Sequence, residues 1–214
     1  MIEGHLSAVR KLLSIRAAAA GIAIDASVVS ALEVYYGLLS HWNKRINLTA
    51  LPLEMPTEPA IDRLLIEPLV AAQELISMAE TWVDLGSGGG SPAIPMKIAR
   101  PQSSLTMVES KSKKAAFLRE AVRELHLDAA VVESRFDELD SRAEMAGTAD
   151  LVTVRGVRPD EAVFRTASLL LKPNGRLALF SSAGNVAVEA PSAFSRSQVV
   201  PLFQTTSLRL YRHL

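Results

Sequence analysis

The strongest structural signal in this 214-residue chain is the stretch Thr81-Trp82-Val83-Asp84-Leu85-Gly86-Ser87-Gly88-Gly89-Gly90. An apolar run ends in the acid Asp84, and glycines follow at every second position from Gly86 to Gly90. Apolar residues in front of a glycine-rich turn predict a buried strand that leads into a loop. Because glycine has no side chain, such a loop lets its backbone approach a ligand closely.

The spacing of these glycines separates two classes of ligand. A dinucleotide loop reads Gly-x-Gly-x-x-Gly or Ala, but here the third position is Ser91. A loop for S-adenosylmethionine reads Asp or Glu-x-Gly-x-Gly-x-Gly, and its positions are matched by Asp84, Gly86, Gly88 and Gly90. A carboxylate at the strand end can organise the loop and face the ligand's ammonium group, whereas it would repel a phosphate. The pattern therefore predicts S-adenosylmethionine, with a glycine-rich turn of no chemical use as the alternative.

The chain after this loop alternates between strand and helix patterns. Leu105–Glu109 is a strand ending in an acid, and Glu109 lies 23 residues past Gly86, near the spacing at which an acidic side chain contacts ribose hydroxyls. A solvated strand end is the alternative for Glu109. The remaining predicted elements are the strands Ala129–Glu133, Ala149–Val154 and Gly175–Phe180 and the helices Ala115–Leu127 and Pro159–Leu171. Such alternation predicts an α/β fold with a mostly parallel sheet, helices on both faces and a ligand at the carboxyl ends of the strands.

In the first 80 residues, apolar residues recur mainly at helical spacing. The segment from Ile61 to Ala79 continues this pattern and predicts a helix with a bend near Pro68. We predict a helical extension over residues 1–80 and an S-adenosylmethionine-binding domain over residues 81–214. The chain has no cysteine, and its four histidines show no metal-ligand spacing, so no metal is expected. No run of 18 apolar residues predicts a membrane span, and the expected compartment is the cytoplasm.

The charges do not by themselves identify an RNA-binding protein, since 23 basic residues balance 23 acidic ones. Local clusters would have to bind phosphate. The first cluster follows a predicted helix and contains Lys44, Arg45 and Asn47; its alternative is a helix end capped by asparagine. The second cluster is Lys111, Lys113 and Lys114 at the start of a predicted helix, where the helix dipole disfavours cations. A solvated helix face is the alternative there.

Three segments, in this order, resemble the glucose-inhibited division protein B family. They are Trp42-Asn43-Lys44-Arg45-Ile46-Asn47-Leu48-Thr49, the loop Asp84 to Gly90 with Pro92, Ile94 and Pro95 behind it, and Phe117-Leu118-Arg119-Glu120. The resemblance covers roughly residues 30 to 182. It implies a class I methyltransferase (Rossmann-like) fold, S-adenosylmethionine as methyl donor, and transfer to guanine N7 in small-subunit ribosomal RNA or the 30S particle. It implies no DNA, membrane or obligate protein partner.

The resemblance also assigns roles to individual residues. It places the methionine moiety of the donor against Gly86 and Ser91, and the adenine near Phe136 and Asp137. Arg155, at the end of the fourth predicted strand, stands where the family has an active-site arginine and is the candidate catalytic residue.

Several positions depart from the family's usual pattern. Ser91 replaces an aromatic or large apolar residue, and Ala93 replaces a glycine. Leu64, Glu67 and Pro68 break a stretch that normally has a histidine after the arginine and Asp-Ser near its end. Three other functions stay open. The altered segment from Leu64 to Pro68 favours methylation of a small molecule or protein, Asp84 and Ser91 oppose a nicotinamide-dependent oxidoreductase, and the retained Gly86, Gly88, Glu109 and Arg155 argue against a non-catalytic ribosome-binding module.

Overall fold

The computed structural model describes residues 2–75, 80–182, 189–204 and 206–214, and within these ranges the chain forms one seven-stranded sheet. The strands are β1 (Thr81–Leu85), β2 (Ser104–Glu109), β3 (Ala129–Glu133), β4 (Ala149–Arg155), β5 (Leu171–Ser182), β6 (Phe194–Pro201) and β7 (Thr206–His213). The α-helices are α1 (Ile2–Ala19), α2 (Ala26–Asn43), α3 (Glu58–Ile61), α4 (Glu67–Leu75), α5 (Ala93–Ala99), α6 (Ser112–Glu124) and α7 (Glu161–Leu170). A π-helix covers Asp62–Ile66, and 3₁₀ turns cover Phe136–Ser141 and Ala143–Met145.

The strand order is β3-β2-β1-β4-β5-β7-β6. The first five strands in this order pair in parallel, whereas β7 pairs antiparallel with both β5 and β6. The predicted mostly parallel α/β sheet is confirmed. The sequence patterns predicted five strands, and β6 and β7 were not among them. Antiparallel neighbours need only a short connection, so no helix pattern separates these strands in the sequence and marks where they begin.

Helices cover both faces of the sheet, as predicted. Side chains alternate along β1, so Trp82 packs on one face and Val83 on the other. The Trp82 side of the sheet shares one hydrophobic cluster with Tyr35 of α2 and Phe117 of α6. The Val83 side shares a second cluster with Phe164 of α7. The N-terminal helices therefore complete the core on one face, and the division into residues 1–80 and 81–214 stays a prediction.

The segment before β1 differs from the single bent helix that the sequence predicted over Ile61 to Ala79. A π-helix ends at Ile66, where the Glu67 N–H donates to the Asp62 carbonyl five residues earlier. Pro68 has no N–H to offer the Leu64 carbonyl four residues before it, and that carbonyl accepts the hydroxyl of Ser91 at 2.9 Å. The π turn thus lies just ahead of the proline, and residues 76–79 fall outside the described ranges.

Ion pairs hold the N-terminal helices to this segment. Arg16 of α1 makes two hydrogen bonds to the carboxylate of Asp62, at 2.8 and 2.7 Å, and a third to Glu58 at 2.9 Å. Its guanidinium also stacks 5.0 Å from the ring of Phe203. In the described residues, no helix combines the length and apolar character that crossing a bilayer requires.

Candidate active site

The glycine loop after β1 lies where the strand order reverses, because β1 has β2 on one side and β4 on the other. This is the edge at which open α/β sheets bind ligands. Gly86, Gly88 and Gly90 have φ angles of +73°, +55° and +81°, which residues other than glycine rarely adopt. The N–H groups of Gly86 and Ser87 both donate to the Val108 carbonyl of β2, at 2.9 and 3.1 Å. The neighbouring strand therefore fixes the start of the loop.

The N-terminal helices pack directly on this loop. The Tyr35 hydroxyl donates to the Gly89 carbonyl at 2.7 Å. A Cβ atom built on Gly89 would lie 3.2 Å from a methyl of Leu39 and 3.2 Å from the Leu48 carbonyl. On the other side of the loop, a Cβ on Gly86 would lie 2.7 Å from a methyl of Val157. The glycines leave no room for side chains at these two positions.

Asp84 lies beneath the loop and does not line the cleft beside it. Its residue is 1% exposed, and its carboxylate accepts the Thr153 hydroxyl at 2.5 Å. The indole N–H of Trp82 donates in turn to that hydroxyl at 2.8 Å. Burial raises the pKa of Asp84 to about 6, although hydrogen bonds from Thr153 and Ser87 oppose the rise. In this structure Asp84 organises the loop from below, and direct contact with a ligand ammonium stays a prediction.

Glu109 joins the loop to the next helix. One carboxylate oxygen accepts the Gly88 N–H at 2.9 Å, and the other accepts the Lys111 N–H at 2.8 Å. The residue is 6% exposed. Because each carboxylate oxygen has two lone pairs, this anchoring leaves acceptor capacity for the ribose hydroxyls that the sequence assigned to Glu109.

Arg155 ends β4 and lines the cleft together with the glycine loop. Its Nη2 atom contacts the carboxylate of Glu67 at 2.5 Å, and its Nη1 atom donates to the Ser91 hydroxyl at 3.2 Å. The guanidinium lies 5.4 Å from the centre of the Phe180 ring. Burial lowers the pKa of Arg155 to about 10, and the charge of Glu67 opposes this. The group remains a cation at neutral pH.

Glu67 is the site residue that sequence reasoning missed. One of its oxygens faces two guanidinium groups, that of Arg155 at 2.5 Å and that of Arg63 at 3.2 Å. Burial raises the pKa of Glu67, against the effect of the two arginines. The Arg63–Glu67 spacing of four residues was visible in the sequence. Its other partner, Arg155 of β4, is 88 residues away in the chain, so no local sequence pattern could indicate this contact.

These walls enclose a cleft of about 860 Å³. It brings together four of the residues predicted to bind the donor, which are Gly86, Gly88, Ser91 and Arg155. The charged side chains of its lining are Arg16, Arg63, Lys114 and Arg155 on the basic side and Glu58, Asp62 and Glu67 on the acidic side. A volume of this size is near the upper end of the roughly 300–1,000 Å³ typical of small-molecule sites.

Other predicted donor contacts lie outside the lining of this cleft. Gly90 is buried beneath the loop, where a Cβ atom would lie 2.5 Å from Ile94. Phe136 is half-buried and packs in the core on the α7 side of the sheet. The side chain of Asp137 falls outside the described part of the chain. The adenine position assigned to these last two residues stays a prediction.

The candidate RNA-binding residues lie on two elements, the turn after α2 and the start of α6. Lys44, Arg45 and Asn47 are exposed in the turn after α2. Asn43 shapes this turn by accepting the Leu48 and Thr49 N–H groups at 2.9 and 3.0 Å. The cap residue of α2 is Lys44, so Asn43 closes the turn after the helix and does not cap the helix end in the way that the alternative expected. The three candidate side chains are in solvent.

The second candidate cluster lies where the sequence placed it, at the start of α6. Lys111 and Lys113 are exposed there, whereas Lys114 lines the cleft. Trp42 of α2 connects this helix to the N-terminal part, since its N–H donates to Glu120 at 3.0 Å and its ring packs edge-on against Phe117. The two candidate clusters therefore belong to elements that are packed together.

The cleft contains no histidine among its described lining residues. Across the described chain, no group of three or more His, Cys, Asp or Glu side chains is arranged to hold a metal ion. For positioning a ligand, the lining of the cleft has arginines, a lysine and carboxylates.

Solved structures with the same fold are methyltransferases. An S-adenosylmethionine-dependent methyltransferase from Aquifex aeolicus aligns with a TM-score of 0.58 at 15% identity, over 73% of this chain and 94% of that one. The mitomycin 7-O-methyltransferase MmcR aligns with a TM-score of 0.59 at 17% identity, over 88% of this chain and 73% of that one. Identities this low show the fold alone, which is that of the class I methyltransferases.

Sequence relatives are more specific. The ribosomal RNA small subunit methyltransferase G of Stenotrophomonas maltophilia K279a is 38% identical over 200 residues, covering 91% of this chain and 89% of the relative. The protein of that name from Xanthomonas euvesicatoria is 37% identical over 196 residues, with coverages of 89% and 87%. The family model described as rRNA small subunit methyltransferase G matches residues 28–214. The chain therefore belongs to the GidB family, as its motifs indicated.

Proposed function

We propose that this chain transfers a methyl group from S-adenosylmethionine to N7 of a guanine in small-subunit ribosomal RNA. The observation that carries the proposal is the cleft, where the glycine loop of β1 meets Arg155 of β4 at the reversal of strand order. Relatives that match about nine tenths of the chain are named for methylation of this RNA. The sequence departures at Leu64, Glu67 and Pro68 do not remove the cleft, because Glu67 forms part of its wall.

The residues of the cleft fit this donor. The methionine end of the donor carries an ammonium and a carboxylate, and the lining of the cleft offers both acidic and basic side chains to them. Four N–H groups of the loop, those of Gly86, Ser87, Gly88 and Gly90, already donate within the protein and hold the shape of the loop. A side chain at Gly86 would collide with Val157 and one at Gly89 would press on Leu48, so this part of the loop packs closely on its surroundings. Glu109 lies at the end of β2, is fixed through the Gly88 N–H, and is proposed to bind the ribose.

The proposed reaction needs little acid–base chemistry from the protein. When bound, the donor supplies an electrophilic methyl group on a sulfonium. Guanine N7 already has a free lone pair, so no proton has to be removed before attack. The rate then depends on alignment of the two reactants and on electrostatics at the atoms where charge shifts. The described cleft lining, which has carboxylates held by arginines and no histidine, suits such positioning.

Arg155 is the proposed catalytic residue. It lines the cleft and is held by Glu67 and Ser91, so its guanidinium has one defined place beside the loop. From there it either holds the donor or contacts guanine O6, an acceptor for which arginine is well suited. The RNA is proposed to contact Lys44, Arg45, Asn47, Lys111, Lys113 and Lys114. Reaction on small-subunit RNA, free or in the 30S particle, implies a cytoplasmic enzyme.

An assay with defined acceptors tests the proposal. Purified protein and radiolabelled donor are incubated with small subunits from cells that lack this chain, with DNA, and with a metabolite extract. Label in N7-methylguanosine of the small-subunit RNA alone supports the proposal. Label in a metabolite or in a protein supports one of the alternative acceptors. Donor binding without transfer to any acceptor supports a non-catalytic ribosome-binding module.

A further inference from the structure

We propose that Arg63 binds a backbone phosphate of the RNA next to the target guanine, as a substrate-binding residue of the cleft. The inference rests on the proposed function and adds a contact on the acceptor side. Arg63 lies in the π-helix, and a π turn inside an α-helix is a frequent feature of functional sites.

The arginines of the cleft differ in how many of their donors are occupied. All three nitrogens of the Arg16 guanidinium donate to Asp62 or Glu58. Both terminal nitrogens of Arg155 are bonded, and its side chain is only 7% exposed. Arg63 donates from Nη1 to Glu67, and within the described residues its Nε and Nη2 have no partner. Its side chain is 32% exposed and lines the cleft. Arg63 is therefore held in place with donors to spare.

The charges at this wall also favour an anion. Glu67 carries one negative charge between two guanidinium groups, and its contact with Arg155 is the shorter, at 2.5 Å against 3.2 Å for Arg63. Arg155 is therefore the better neutralised of the two arginines, and Arg63 keeps most of its positive charge. A group with a negative charge, bound against Arg63, would restore the local balance.

A phosphate fits this position better than the guanine base does. Methyl transfer to N7 moves positive charge onto the base, which an incompletely neutralised guanidinium would oppose. A backbone phosphate keeps its negative charge throughout the reaction. It also matches the paired N–H donors of a guanidinium. Arg63 and Lys114 both line the cleft, so an RNA strand that crosses it would meet two cations, one from each residue.

Salt-dependent binding and steady-state kinetics with unmethylated small subunits test the inference. For Arg63→Ala we expect KM for the RNA to rise roughly tenfold, and the slope of log affinity against log salt to fall by about one ion. Because Arg63 also contacts Glu67, we expect kcat and the Kd for the donor to change as well, but each by a smaller factor than KM for the RNA does. Arg63→Lys keeps the charge, so it should retain the salt slope with a smaller increase in KM. Arg100→Ala, an exposed arginine before β2 at the opposite edge of the sheet, is the matched control.

Two results would overturn the inference while leaving the proposed function intact. One is a native RNA KM and salt slope for Arg63→Ala in a preparation whose wild type methylates the RNA. The other is a loss of donor affinity parallel to the loss of RNA affinity, which would mean that Arg63 acts through Glu67 on the donor site. A wild-type protein that methylates no small-subunit RNA would instead overturn the proposed function, and this inference with it.

Discussion

The hydroxyl of Tyr35 donates a 2.7 Å hydrogen bond to the carbonyl oxygen of Gly89. This bond joins α2 to the tip of the glycine loop, and Leu39 and Leu48 pack on the same glycine. The turn that presents Lys44 and Arg45 begins where α2 ends. The helix that leads to a proposed RNA contact therefore also supports the proposed donor loop.

Tyr35→Phe should weaken donor binding severalfold and lower the free energy of unfolding by about 1 kcal/mol, because it removes one buried hydrogen bond. Calorimetry with S-adenosylmethionine and thermal unfolding measure the two effects. Tyr36→Phe is the control, since it removes the same atom from the next residue of α2, which lies about 100° further round the helix than the tyrosine bonded to Gly89. Equal donor affinity in the Tyr35→Phe and native proteins would show that the loop does not depend on this bond.

Gly86→Ala should abolish measurable donor binding. The new methyl would lie 2.7 Å from Val157 at a φ of +73°, so the loop or the turn that follows β4 must move. The backbone strain costs about 1–2 kcal/mol, and overpacking adds about 1–3 kcal/mol. Gly147→Ala isolates the backbone contribution, because Gly147 has a φ of +62° with nothing within 4 Å of a built Cβ. Similar melting temperatures and donor affinities for the two variants would contradict the predicted collision.

Asp84→Asn should stabilise the protein at pH 7.5 and weaken donor binding. Because the folded pKa is about 6 and the ordinary value is 3.8, the folded protein holds the proton more tightly than the unfolded chain does. The resulting stabilisation is complete below pH 3.8 and is lost as the pH rises through about 6. At pH 7.5 the buried charge therefore costs up to about 3 kcal/mol.

The side-chain amide that replaces the carboxylate in Asp84→Asn can still accept the Thr153 hydroxyl, so the shape of the site is kept. Denaturant unfolding at pH 4 and pH 7.5 should show a gain in stability for Asp84→Asn only at the higher pH. A variant that is less stable than the native protein at pH 7.5 would mean that the buried carboxylate contributes to folding.

Glu67→Gln should lower the free energy of unfolding by about 3 kcal/mol, because it leaves the buried guanidinium of Arg155 without its counter-charge. Removing both charges with Glu67→Gln and Arg155→Met together should recover part of this stability. Neither the single nor the double variant should show native turnover. The single variant loses the group that positions the Arg155 cation, and the double variant loses the cation as well. Chemical denaturation and single-turnover methylation separate the two effects.

Arg155→Ala tests the catalytic assignment on its own. We expect a loss of turnover, of donor affinity, or of both. Normal turnover together with normal donor affinity would remove Arg155 from the mechanism.

Reversing the charges of Lys111, Lys113 and Lys114 to glutamate should weaken RNA binding and flatten its dependence on salt. All three lie at the N-terminal end of α6, where the helix dipole makes acidic residues favourable, so folding should be preserved. Reversal at the three exposed residues Lys11, Arg100 and Arg212 gives the same net charge and is the control. A salt slope equal to that of the native protein would exclude the α6 lysines from the interface.

Local patterns in the sequence were sufficient for most of the sheet. The runs predicted to end at Glu109 and Glu133 are strands with those ends in the structure, and the run that ends in Asp84 is a strand that continues to Leu85. The glycine spacing predicted a loop that the positive φ angles of Gly86, Gly88 and Gly90 bear out. Such features depend on neighbouring residues alone, which is why a sequence reveals them.

The features that the sequence did not reveal depend on contacts between distant residues. The ion pair of Glu67 with Arg155 spans 88 residues, and Glu67 was treated as a departure from the family pattern rather than as a partner. The π turn before Pro68 interrupts the helical period by a single residue, too little for a periodicity argument to detect. The burial of Asp84 follows from Thr153 on the neighbouring strand. Each of these features could be recognised only in the folded structure.

Mapping of N7-methylguanosine in small-subunit ribosomal RNA, in cells with and without this chain, tests the central claim most directly. We predict one guanine that is methylated when the chain is present, unmethylated when it is deleted, and restored by the native gene but not by an Arg155→Ala copy. An identical methylation map in the presence and absence of the chain would contradict the account.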